Sequence, residues 1–156
     1  MIPVLLERIQ PVTLERTWGT ETLIVDHGYV GKVLRYRAGC AGGLQYHRTR
    51  TETFHLVSGE ALVTSADATG QLVQETMRPG QTFHIPPGAV HQFLAVTDCL
   101  VFEVSDGAYA DRVRMEAHYG APVLDGDGGL ETTPEPTARE MLKIMANDAQ
   151  RLGMYD

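Results

Sequence analysis

From about residue 21 to residue 115, apolar and polar positions alternate in short runs, and no helical spacing of useful length appears. The alternating runs cover residues 29–37, 43–47, 52–57, 61–65, 71–77, 81–85, 91–96 and 100–104. Turn-forming residues separate them: Gly39, Ser58-Gly59, Ala68-Thr69-Gly70, Pro79-Gly80, Pro86-Pro87-Gly88 and Thr97-Asp98. Many short strands at this spacing predict an all-β sandwich, jelly roll or barrel. Residues 1–20 show no long periodicity and read as an N-terminal arm, which leaves 21–121 as the barrel. Residues 122–136 are polar and rich in Gly and Pro, as expected of a linker. Thr137 followed three residues later by Glu140 forms a capping-box pattern. Met141, Leu142, Met145, Ala149 and Leu152 then share one helical face, so a short helix is expected over 137–152 within a tail of 137–156.

Composition narrows the setting. A chain of 156 residues is long enough for one domain with a real core. Its formal charge of −7 argues against a nucleic-acid partner. No apolar run approaches the ~20 residues that span a bilayer. The first residues, Met1 to Arg8, lack a basic segment and predict no signal peptide. Two cysteines, Cys40 and Cys99, in such a chain are expected to stay reduced, which places the protein in the cytoplasm.

Strand parity then gathers a polar set. Gln45 and His47 are two apart and point to one face of a strand. Glu52 opens the next run with the parity of Phe54 and Leu56. His91 shares parity with Phe93 and Ala95. All four side chains can face the inside of one barrel. A buried carboxylate and two buried imidazoles are costly there without a counter-charge. One divalent ion supplies it, and mixed N/O donors suit Zn, Mn, Fe, Co or Ni. His55 and His84 have the opposite parity and are expected on the outer face. His27 and His118 fall in turn or tail contexts and are expected in solvent.

Several motifs resemble a known family. Gly80, Pro86, Gly88 and His91 match the second cupin motif, Gly-x5-Pro-x-Gly-x2-His, and His47, Glu52 and Gly59 match the skeleton of the first. Thr49 stands where many cupins place a second histidine. Gln45 and His47 resemble instead the Gln, His, Glu, His site of phosphomannose isomerases. Thr17-Trp18-Gly19-Thr20-Glu21, Gly31-Lys32 and the segment from Asp111 to Gly120 resemble landmarks of single-domain cupins related to type II mannose-6-phosphate isomerase. Ala121 replaces the arginine that closes the last of these. The resemblance covers roughly residues 14–121 and implies a double-stranded β-helix, the cupin jelly-roll barrel.

It also implies a metal-dependent aldose–ketose isomerase acting on a sugar phosphate, such as mannose 6-phosphate, or on a related free sugar. Gln45, His47, Glu52 and His91 would hold one divalent metal. Isomerisation moves a proton between C2 and C1, so a base must reach C2 and the enediolate charge must be stabilised. Glu103 is the candidate base if it turns inward; Phe102 and Val104 facing inward is the equal alternative. Lys32, alternating with Leu34 and Tyr36, is the candidate acid or phosphate contact, or else a surface lysine. Arg114 and Tyr36 are the candidate substrate contacts. Arg48 and Arg50 are expected to be solvated turn charges. Competing expectations are a non-catalytic cupin that holds a metal or sugar, and an iron-dependent oxygenase. A homodimer is expected, with no membrane partner.

Overall fold

The computed structural model describes residues 1–106 and 111–125. The helix expected over 137–152 and most of the expected linker lie outside them. Eleven strands and one short helix are formed among the described residues. In chain order these are β1 (Val12–Arg16), β2 (Gly19–Asp26), β3 (Val30–Tyr36), β4 (Gln45–His47), β5 (Glu52–Ser58), β6 (Ala61–Ala66), β7 (Leu72–Met77), β8 (Thr82–Ile85), β9 (His91–Ala95), β10 (Cys99–Ser105), β11 (Arg112–Arg114) and α1 (Glu116–Tyr119). Each of the eight alternating runs became a strand, within two residues at either end.

All pairings are antiparallel and form two sheets. One runs β1-β2-β3-β10-β5-β8 and the other β11-β4-β9-β6-β7. The non-sequential order, with β10 between β3 and β5, makes the jelly roll. Alternation along the strands turns one face of each sheet inward. Leu34, Tyr36, Phe54, Leu56, Ala61, Val63, Met77, Ile85, Phe93, Ala95, Cys99 and Val101 form the core between the sheets. Leu56, Met77 and Val101 are fully enclosed, and each such side chain contributes about 1.5–3 kcal/mol of burial free energy. Trp18 caps this core by stacking on Tyr36, centroids 4.1 Å apart.

A second cluster covers the other face of the smaller sheet. Leu44, Tyr46, Val90, Val113 and Met115 pack together, with Tyr119 and Ala121 against them. It fixes β11 and α1 beside β4. The outer face of the larger sheet is less covered, and Val57, Phe102 and Val104 are exposed there.

The β1–β2 hairpin and β11 are not among the sequence-predicted strands. Physical reasons differ. Val12, Thr13, Leu14 and Glu15 of β1 are all exposed, so burial imposes no alternation there. β11 is only three residues long, and it pairs with β4 opposite His47, Tyr46 and Gln45. His55 and His84 lie on the outer face as expected, where the His55 ring and Thr82 Oγ1 are 2.9 Å apart.

Candidate metal centre

One end of the barrel interior is polar where the other is apolar. The residues at that end come from strand ends that meet at the same mouth: Lys32 from the start of β3, Glu52 from the start of β5, His91 from the start of β9, and Glu103 from near the end of β10. The turn 48–50 lies across from them. All of Lys32, His47, Arg50, Glu52, His91 and Glu103 are buried.

His47, Glu52 and His91 converge. Glu52 Oε2 lies 3.3 Å from His47 Nε2 and 3.4 Å from His91 Nε2. The three donor atoms fall within 4.8 Å of one another. Each imidazole is oriented through its other nitrogen: His47 Nδ1 sits 3.1 Å from the Asp111 carbonyl and His91 Nδ1 2.9 Å from the Ala89 carbonyl. A carbonyl only accepts, so Nδ1 carries the proton and the Nε2 lone pair points inward. None of the two Nε2 atoms or Glu52 Oε2 has a hydrogen-bond partner, although all are buried.

Converging, unpartnered lone pairs repel one another unless a cation lies among them. Donors bound at ~2.0–2.2 Å to one ion stand roughly 3.0–3.6 Å apart, which matches the two measured separations. The three residues therefore fit a divalent ion. Burial pushes the Glu52 carboxyl up; with no ion among the donors, protonated His47 and His91 would outweigh burial and hold it well below the usual carboxylate range, and a divalent ion would take over the counter-charge from those protons. Gln45 lies directly opposite His91 in the β4–β9 pairing, and its Oε1 is also buried without a partner.

Local sequence explains how the ligands are presented. Pro86 and Pro87 stiffen the turn before β9. Gly88 takes φ 83°, where glycine is favoured. Its N–H then donates to the His47 carbonyl at 2.8 Å, tying the His91 turn to β4. On the other side, the Asp111 carboxylate collects the turn that precedes Glu52. Its Oδ1 accepts from Arg48 N–H at 2.9 Å. Its Oδ2 accepts from Thr49 N–H at 2.6 Å, the Thr49 hydroxyl at 2.8 Å and Arg50 N–H at 2.8 Å. Burial pushes Asp111 up, but these bonds prevail and hold it below its ordinary value. The Thr49 side chain is thus turned to Asp111.

A chain of alternating charges leads away from the centre. Arg50 Nη2 lies 3.2 Å from Glu52 Oε1 and 2.5 Å from Glu103 Oε1. Lys32 Nζ is 3.6 Å from Glu103 Oε1 and 2.7 Å from Glu21 Oε1. Arg16 Nε closes the series on Glu21 Oε2 at 2.8 Å. Burial, and then the neighbouring Glu52, push the Glu103 carboxyl up to about 8, against the pull of Lys32 and Arg50. Burial pulls Lys32 down, but Glu103 and Glu21 outweigh it and keep the ammonium above its ordinary value. The Tyr36 hydroxyl is raised well above its usual value by burial and by Glu103 and Glu21, so it stays protonated.

Of the sequence-chosen residues, the barrel brings together His47, Glu52, His91, Glu103 and Lys32. Glu103 and Lys32 face inward, while Phe102 and Val104 face out. Arg114 lies elsewhere in role. Its guanidinium meets Glu116 through Nε at 3.1 Å and Nη2 at 2.5 Å, and Asp125 through Nη1 at 2.5 Å and Nη2 at 2.9 Å. Carboxylates of the chain itself occupy the fork expected to grip a ligand anion. Arg50 is a correction: it is not a solvated turn charge but 4% exposed, bridging two interior carboxylates. Its parity with Glu52 was the available signal. Glu21 and Asp111 were also missed as interior anchors, and nothing local in the sequence marks Asp111 as one.

Comparisons with known proteins agree with this fold. Residues 32–105 match the family model described as cupin domain. The match spans 74 of the 156 residues, and the two antiparallel sheets form a jelly roll consistent with that domain. No curated protein matches the sequence. Among solved structures, oxalate decarboxylase from Bacillus subtilis is similar with a TM-score of 0.61 at 14% identity, over 83% of this chain and 41% of that one. The capsular polysaccharide assembling protein CapF from Staphylococcus aureus is similar with a TM-score of 0.60 at 17% identity, over 69% of this chain and 34% of that one. The present chain thus spans well under half the length of either. Identities this low carry the fold alone. No helix among the described residues is long and apolar enough to cross a membrane.

Proposed function

We propose that this cupin is a metal-dependent aldose–ketose isomerase for a sugar phosphate or a closely related free sugar. The observation that carries the reading is a buried, unpartnered His47–Glu52–His91 donor set beside a basic interior carboxyl, Glu103. His47, Glu52 and His91 would hold the ion, with Gln45 Oε1 as a fourth donor. When bound, a divalent ion polarises substrate oxygens and stabilises developing negative charge. Glu103, once ionised, takes the proton from C2 and returns it to C1, while a hydroxyl proton passes between O2 and O1. No atom is gained or lost between aldose and ketose. Lys32, fixed as a cation between Glu103 and Glu21, stabilises the enediolate and keeps Glu103 oriented. Tyr36 stays protonated and would meet substrate as a hydrogen-bond donor.

The decisive experiment incubates metal-loaded protein with mannose 6-phosphate, mannose and lyxose in deuterium oxide. Deuterium uptake at C2, abolished by Glu103→Gln, is the expected result. Absence of exchange with every sugar despite a filled site would leave the second reading, a metal- or sugar-holding cupin without turnover. One observation favours that second reading: Arg114, the residue expected to hold a phosphate, already holds Glu116 and Asp125. An iron oxygenase is a weaker fit, because Thr49 occupies the position of a second histidine and its hydroxyl bonds Asp111.

We also read the protein as a cytoplasmic homodimer. The free thiols of Cys40 and Cys99 suit a reducing compartment. Exposed Val57, Phe102 and Val104 on one sheet face offer an apolar contact. Sedimentation should give twice the mass of one 17.1 kDa chain, and Phe102→Glu should halve it.

A further inference from the structure

The two oxygens of Glu52 do different work. Oε2 faces the two histidines, at 3.3 and 3.4 Å. Oε1 faces Arg50 Nη2, at 3.2 Å. Arg50 cannot easily leave that position. Its Nη2 also donates to Glu103 Oε1 at 2.5 Å and Ser105 Oγ at 2.9 Å, and its backbone N–H is held by Asp111 Oδ2 at 2.8 Å. A buried cation this close to a divalent site is unfavourable for ion affinity, because like charges repel strongly out of water. Its presence therefore calls for a reason other than tight ion binding.

We infer that Arg50 is a positioning residue that restrains Glu52 to one-oxygen ligation and so reserves room on the ion for two neighbouring oxygens of the substrate. The inference rests on the metal-dependent reading and deepens it. A carboxylate that binds through both oxygens occupies a position that an adjacent carbonyl and hydroxyl pair needs. The Arg50 cation held 3.2 Å from one oxygen opposes this, since that oxygen would have to leave an ion pair buried out of water to reach the ion as well. The substrate class that follows is a compound with vicinal oxygens, such as an α-hydroxy carbonyl, in place of a ligand with a single donor.

The test is difference infrared spectroscopy of zinc-loaded minus zinc-free protein, with zinc affinity measured alongside by calorimetry. The difference spectrum isolates the ligating carboxylate. The unaltered protein is expected to show the wide separation of antisymmetric and symmetric stretches that marks one-oxygen binding. Arg50→Met should narrow that separation and raise zinc affinity about tenfold or more, since both the restraint and the repulsion are gone. Arg50→Lys, which keeps a charged donor, should restore the wide separation. If Arg50→Met fails to fold, the double variant Arg50→Met/Glu103→Leu removes both buried charges together and should show the same narrowing. A merely structural Arg50 predicts a wide separation in every variant and an affinity that falls with stability; that result overturns the inference. So does a narrow separation in the unaltered protein that takes up zinc. No zinc uptake by the unaltered protein overturns the metal reading itself, and the inference with it.

Discussion

Replacing Asp111 by Asn tests how the turn between His47 and Glu52 is held. The carboxylate accepts four bonds: one on Oδ1 from Arg48 N–H, and three on Oδ2 from Thr49 N–H, the Thr49 hydroxyl and Arg50 N–H. An amide can keep its oxygen at the three-donor side only by turning its NH₂ toward Arg48 N–H. One bond is then lost, at about 1 kcal/mol, and three bonds change from charge-assisted to neutral, at up to about 1 kcal/mol each. The expected loss is about 2–4 kcal/mol, or roughly 5–15 °C in Tm for a domain of this size. The pH dependence supplies a sign. Asp111 has its folded pKa depressed, so its stabilisation is fully present above the unfolded carboxylate value of ~3.9 and is lost as pH falls through the lower folded value. The gap between parent and variant should therefore be constant from pH 7 to about pH 5 and shrink below about pH 4. Urea unfolding of both proteins across this range measures it. Equal midpoints at pH 7 would refute the claim that this carboxylate organises the turn, and a gap that widens on acidification would refute the assigned sign.

Other outcomes follow from the same geometry. His47→Ala and His91→Ala should each abolish tight divalent-ion binding in calorimetry. In the unaltered protein, ion at a hundred times its Kd should add about 2.7 kcal/mol to unfolding free energy, and a chelator should remove it. Glu103→Gln should keep ion binding but lose deuterium exchange at C2, so the two readouts separate the base from the ligands. Gly43→Ala should destabilise by about 1–3 kcal/mol in thermal melts, because a Cβ there would lie 2.6 Å from Arg114 Cζ and overpacking has that cost. That guanidinium is pinned by Glu116 and Asp125, so it cannot move aside; an unaltered melt would show that it can.

The shared parity of Gln45 with His47, of Glu52 with Phe54 and of His91 with Phe93 was enough to assign strands and their inward faces. Parity is a property of the backbone itself, because side chains of a strand alternate whatever the strand packs against. The same logic extends to Arg50, whose parity with Glu52 marks its side, yet parity cannot tell a charge in a solvated turn from one drawn into the barrel. What the sequence could not rank was the orientation of Glu103 against Phe102 and Val104. That depended on Lys32 lying directly opposite Glu103 in the β3–β10 pairing, a contact between residues 71 positions apart. Strand β1 was silent for the opposite reason: Val12 to Glu15 are all exposed, so no burial writes a pattern into it.

The chain alone therefore determined a β fold and the face that His47, Glu52 and His91 each take, since strand parity follows from local stereochemistry. Only the tertiary fold decided which end of the barrel is polar. Antiparallel neighbours run in opposite directions, so in one sheet the polar residues of β3 and β5 come first and that of β10 near the end, while in the other His91 opens β9 and His47 closes its neighbour β4. Long-range pairing likewise committed Arg114 to Glu116 and Asp125 and drew Arg50 between Glu52 and Glu103. Buried charges take whichever partners the completed fold brings within reach.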